Sequence, residues 1–151
     1  MSQPAPPSEV EARPLRRLAI TVSRGTSNNL FQVATLVRAA TALDATVEVL
    51  FRDAALLKLE RSRLNEPEWS PAYAAVASSL VERLRAADFT EMETFLRDAK
   101  QHGDDVHYWA SAETLARERL TLAQLTPLVD GRRSEEEFES AGRRADALLA
   151  F

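Results

Sequence analysis

Residues 16–51 constrain the fold more than any other stretch. "RRLAITVS" (16–23) is a β-rich run of strand length. "RGTSNN" follows as a polar, turn-forming loop. The period then changes: Leu30, Val33, Ala34, Val37 and Ala40 fall at i, i+3, i+4, i+7 and i+10, one apolar helical stripe. "ATVEVLF" (45–51) is strand-like again. Strand, loop, helix and strand within about 35 residues make a βαβ unit, whose crossover favours parallel pairing.

The alternation continues less regularly. "DAALLKLERSRL" reads as a helix with Asp53 as its cap, and "NEPEWSP" breaks it. Ser70 before Pro71 is a helix start, serine at N-cap and proline at N1, with Tyr73, Val76, Ala77, Leu80 and Leu84 as the stripe. Thr90 with Glu93 makes a capping-box pattern for a helix using Met92, Phe95, Leu96 and Ala99. Gly103 stands where a glycine would end that helix. "DVHYWA" is the third strand, "SAETLARERL" a short helix and "TPLVD" the expected short fourth strand. Ser134 with Glu137 opens another capped helix; "ADALLAF" either extends it or forms a last edge strand. The expected fold is a single α/β domain over 15–151, with a mainly parallel sheet of four or five strands and helices on both faces. Residues 1–14 read as a disordered leader. Strand 1 is expected between strands 2 and 3.

Composition narrows the function. The chain has 151 residues, net charge −4 and no cysteine. An acidic balance does not favour nucleic acid or an anionic membrane, and no apolar run approaches a membrane span. The missing cysteine excludes disulfides, thiolate metal sites, persulfides and cysteine nucleophiles. With no apolar segment at the start, the cytoplasm is the expected location.

In open parallel sheets, ligands bind at the carboxyl ends of the strands near a topological switch point. Three segments are therefore candidates. The loop Ser23, Arg24, Gly25, Thr26, Ser27, Asn28 offers donors just before a helix N-terminus, a setting that attracts anions. With one glycine and no lysine it is neither a dinucleotide fingerprint nor a P-loop, and helix capping by Thr26, Ser27 or Asn28 is the alternative. Arg52 and Asp53, adjacent at the end of strand 2, read as an ion pair or cap rather than a pocket pair. Ala110 ends the third strand and Ser111 opens the next helix, and Ser111 has no base-and-acid partner set for nucleophilic work. His102 and His107 lack cysteine partners and HxxxH spacing, so no metal is expected. The acids Glu91, Glu93, Glu135, Glu136 and Glu137 sit in first helical turns, where they stabilise the helix dipole. No catalytic set and no cofactor is expected.

Taken together, "LAITVSRGTSNNLFQVATLVRAATALDATVEVLF", "FTEMETFLRDAKQHGDDVHYWASAETL" and "LVDGRRSEEEFESAGRRADALLAF" resemble the DsrE/DsrF-like family of sulfur-relay proteins, which includes TusD-type subunits. The middle segment is most similar to the branch with a helical insertion after the second strand, here about residues 53–88. In that family the third strand usually ends in a sulfur-carrying cysteine, in a pattern like Tyr-Ala-Cys-Ser. Laid on Tyr108-Trp109-Ala110-Ser111, the pattern puts Ala110 at the cysteine position. A glycine common before the second strand is Asp44 here, and the Met-Gly often found after the cysteine-bearing helix is replaced near Ala116 and Arg117. The resemblance implies a homo-oligomer, trimer or hexamer, with a cysteine-bearing paralogue or a sulfur-carrier protein as a further partner. It also implies that sulfur transfer is lost, since an alanine methyl is no nucleophile. A non-catalytic binding or assembly protein is the first reading. The alternative is a small-molecule or anion-binding protein, for a nucleotide or sulfur oxyanion, using the strand-end crevice.

Overall fold

Along β1 (Arg17–Val22), Leu18, Ile20 and Val22 point to one face of the sheet and Ala19 and Thr21 to the other. Along β2 (Thr46–Phe51), Val47, Val49 and Phe51 join the first face and Leu50 the second. Between the two strands, α1 (Ser27–Thr41) buries the predicted stripe of Leu30, Val33, Ala34, Val37 and Ala40. The computed structural model describes residues 13–88 and 91–151. After β2 the chain forms α2 (Asp53–Lys58), α3 (Pro71–Ala74), α4 (Ala77–Ala86) and α5 (Met92–Gln101). Then come β3 (Val106–Ser111), α6 (Ala112–Glu118), β4 (Gly131–Arg133), α7 (Glu135–Gly142) and β5 (Ala147–Ala150). Among the described residues, no helix is long and apolar enough to cross a membrane.

All four strand pairings are parallel, and the order is β4-β3-β2-β1-β5. The expectation that β1 lies between β2 and β3 is therefore corrected: β2 takes that place, and β1 sits between β2 and β5. The steps from β1 to β4 run in one direction, so right-handed crossovers put their helices on one face. There α1 and α5 pack side by side, with Phe31 meeting Phe95 edge-on at 4.4 Å and Arg38 bridging to Asp98 at 2.6 Å. The return from β4 to β5 runs the other way and places α7 on the opposite face, where Phe138 packs with Ala19 and Leu50. The reversal makes the carboxyl end of β1 the switch point of the sheet.

Several elements depart from the sequence reading. "TPLVD" is not a strand; the fourth strand is the three residues Gly131–Arg133. Just before it, Asp130 N–H donates to Tyr108 O and Asp130 Oδ2 accepts from Tyr108 N–H, each at 2.8 Å. A side chain thus stands in for one rung of the ladder. "ADALLAF" resolves as an edge strand on β1. The helix expected over 53–64 stops at Lys58, with Arg52 rather than Asp53 at its N-cap. Ser70 and Pro71 do start a helix, but it breaks before Val76, and no residue of α3 or α4 is buried. The cap at Thr90 lies outside the described residues, as does the leader through residue 12. Helix α5 has Glu91 at its N-cap, and Asn65 Oδ1 accepts the Glu93 N–H at 3.1 Å.

Two backbone positions have specific causes. Asp44 adopts φ 59 after α1, with Ala45 N–H donating to Ala40 O and Asp44 N–H to Thr41 O. This is the Schellman ending, whose left-handed position favours glycine. Gly103 has no left-handed backbone. It is needed for closeness, because a Cβ there would lie 2.4 Å from Thr41 Cγ2.

Candidate functional site

The three candidate segments do gather at the carboxyl edge of the sheet, but they form two separate places. The first surrounds the end of β3. Ala110 is 0% exposed and lies in register with Phe51 and Arg132. Ser111 is buried as well, and its hydroxyl is occupied twice: it accepts Thr114 N–H at 3.0 Å as the N-cap of α6 and donates to Glu113 Oε2 at 3.3 Å. Thr114 Oγ1 in turn accepts Asp53 N–H at 3.1 Å, fastening α6 to the start of α2.

Ion pairs ring this corner. Asp53 takes Arg117 at 2.7 Å and Arg52 at 3.0 Å, and Arg52 also reaches Glu135 at 2.8 Å. The Arg117 hydrogen bond is the largest influence on Asp53; with Arg52 it outweighs desolvation and holds the carboxyl below its ordinary value. Partial desolvation would raise Glu113, but hydrogen bonds from the Glu135 and Glu113 backbone and from Ser111 and Ser134 overcome it, so its carboxyl is also lowered. These charges favour the ionised forms and a fixed arrangement, not a proton acceptor poised near neutrality. Arg52 and Asp53 form the ion pair that their adjacency suggested.

The second place lies at the end of β1. Here a groove of about 880 Å³ is lined by Arg24, Thr26, Asn28, Arg63, Ser70 and Tyr73, among others. Sequence reasoning placed residues 23–28 correctly at a strand end, but most of them are engaged in holding the loop. Ser23 N–H and Oγ both donate to Phe151 O, at 2.7 and 2.9 Å. Gly25 lies against α2, where a Cβ would come 2.4 Å from Ala54 O. Thr26 Oγ1 accepts from Asn29 Nδ2 at 2.7 Å. Ser27 N–H donates to Glu68 O at 2.6 Å, so the first amide of α1 is already taken. Asn28 Oδ1 accepts Ser70 N–H at 3.0 Å.

The sequence reading missed the far wall of this groove. It comes from α2 and the following loop: Lys58, Arg63, Glu66 and Glu68. Lys58 is buried, donates to Glu66 O at 2.5 Å and pairs with Glu68 at 3.4 Å. Nothing local marks residues 58–68 as neighbours of residues 24–28; only the fold of the chain after β2 brings them there.

The histidines are elsewhere. His102 Nδ1 meets Thr41 Oγ1 at 2.9 Å behind α5, and His107 stacks on Trp109 on the other face of the sheet.

No family model and no curated protein matches this chain. Among solved structures, a protein of unknown function, MTH1491 from Methanobacterium thermoautotrophicum, aligns with a TM-score of 0.53 at 14% identity, over 90% of this chain and 99% of that one. The two share a fold.

Proposed function

We propose that this chain is a non-catalytic binding or assembly protein of the DsrE/DsrF-like kind, in which sulfur transfer has been lost. The observation that carries the reading is the closed corner at Ala110. Where that family presents a reactive thiol, this chain has a fully buried methyl, a serine spent on capping α6, and a surrounding set of paired charges. Asp44 supports the alignment behind the reading, because it holds the left-handed conformation that suits the family's glycine.

Self-association is the function that such a chain retains. Tyr73 in α3, Val76 at the N-cap of α4, and Leu80 and Leu84 in α4 all stay outside the core, with Val76 49% exposed. A second copy, or a cysteine-bearing paralogue, is the partner that would cover them. Light scattering at roughly tens of micromolar should give a multiple of the chain mass, and Val76→Glu should lower it. A monomer at every concentration overturns the assembly reading.

A further inference from the structure

We infer that the groove at the end of β1 is a binding site for a nucleotide-sized phosphomonoester, held by Arg24, Arg63 and the carboxamide of Asn28. The inference stands apart from the closed sulfur corner and survives if the family reading fails.

Three observations carry it. First, the groove lies at the carboxyl end of β1, the strand at which the order reverses, and ligands of open parallel sheets bind in that region. Second, two arginines from different segments line it, Arg24 from the loop after β1 and Arg63 from the loop after α2. Among the described residues neither side chain has an ion pair or a hydrogen bond. Guanidinium forks match phosphate oxygens in shape and charge.

Third, Asn28 is 9% exposed and lines the groove. Its Oδ1 is committed to the Ser70 N–H, which fixes which end of the carboxamide is oxygen. The remaining end is an NH2 group with no partner among the described residues, and it is not sealed from solvent. A nearly buried asparagine on the groove wall therefore keeps one fixed donor unspent. Thr26 adds a second donor, because its oxygen already accepts from Asn29 and its hydroxyl proton is left over. Donors on residues that line one groove call for an acceptor-rich ligand.

The carboxylates bound the size and charge of that ligand. Glu68 is neutralised by Lys58, leaving Glu66 against the two arginines. One phosphate suits that balance better than a polyphosphate. A volume of about 880 Å³ exceeds what inorganic phosphate fills and lies in the range of small-molecule sites. Tyr73, 36% exposed on the groove wall, and Leu57 offer apolar surface for an organic body such as a base.

The test is a calorimetric and amide-shift titration of the native chain with each of the four nucleoside 5′-monophosphates, the matching nucleosides and inorganic phosphate. At least one monophosphate should bind saturably, with its nucleoside and inorganic phosphate each about tenfold weaker or worse. Arg24→Ala and Arg63→Ala should each weaken binding about tenfold, a typical loss for a hydrogen bond to a charged group. Asn28→Asp keeps the acceptor for Ser70 but replaces the donor with a negative oxygen, so it should abolish binding while the far-ultraviolet spectrum stays native. Arg143→Ala, at the C-cap of α7, should change nothing. No saturable binding of any monophosphate by about 1 mM overturns the inference. So does equal affinity for the nucleoside or for inorganic phosphate, or binding that ignores both arginine substitutions.

Discussion

Ser27 and Glu68 exchange two hydrogen bonds: Ser27 N–H donates to Glu68 O at 2.6 Å, and Glu68 N–H donates to Ser27 Oγ at 2.8 Å. Forty-one residues apart, they clamp the loop before α3 across the start of α1. Ser27→Ala removes the hydroxyl acceptor and leaves the Glu68 amide unpaired. Stability should fall by about 1 kcal/mol, and amide exchange should speed up over residues 66–70 before it does in the sheet. A denaturation curve superposable on the native one would show that the clamp adds nothing.

Asp44 sits at the left-handed position of a Schellman ending, with φ 59. Glycine has no Cβ to strain there. Asp44→Gly should therefore raise stability by about 0.5–1 kcal/mol, read from the urea midpoint at constant slope. A lower midpoint would mean that the aspartate side chain does more at this turn than cap it.

Ala110→Cys places a thiol in an enclosed corner. Burial raises a thiol, and Arg52 and Arg117 at this corner are already paired with carboxylates, so its pKa should lie at or above about 8.5 and its alkylation should be slow while the chain is folded. The added sulfur is small, and the cost should stay under about 1.5 kcal/mol. A fast thiol titrating below neutrality would mean that the corner is open and still has the electrostatics of a sulfur site.

Acid should destabilise the chain through three carboxylates. Asp146 accepts the backbone N–H groups of Arg16 at 2.8 Å and Arg17 at 2.9 Å, and those bonds lower it. Asp53 and Glu113 are lowered by the partners described above. A lowered carboxylate adds stability that is fully present above its unfolded value, 3.8 for aspartate and 4.5 for glutamate, and that is lost as pH falls through the folded value. Unfolding free energy should thus decline as pH drops through and below this range. Asp146→Ala should be less stable at neutral pH and show a flatter acid limb; an unchanged limb would remove Asp146 from the account.

Local periodicity and capping chemistry determined a good part of this protein. The stripe from Leu30 to Ala40 buries as one face of α1, the alternation of Leu18, Ile20 and Val22 makes β1, and Ser134 caps α7 through the Glu137 N–H. Each of these depends on neighbours within a few residues. The same reasoning left Tyr73 to Leu84 open, because a stripe states which residues would be buried together and not whether anything covers them.

Strand order belongs to the tertiary structure alone. A strand's pattern says which side chains face the core, but β1 has two equivalent edges, and packing decided that β2 and β5 would take them. That choice put the switch point at Ser23 and brought Phe151 onto its backbone. The candidate groove was half legible for the same reason. Residues 23–28 announce a strand end by their composition. Arg63 and the free end of the Asn28 carboxamide acquire meaning only once the loop after α2 folds back across α1 and Ser70 claims the Asn28 oxygen.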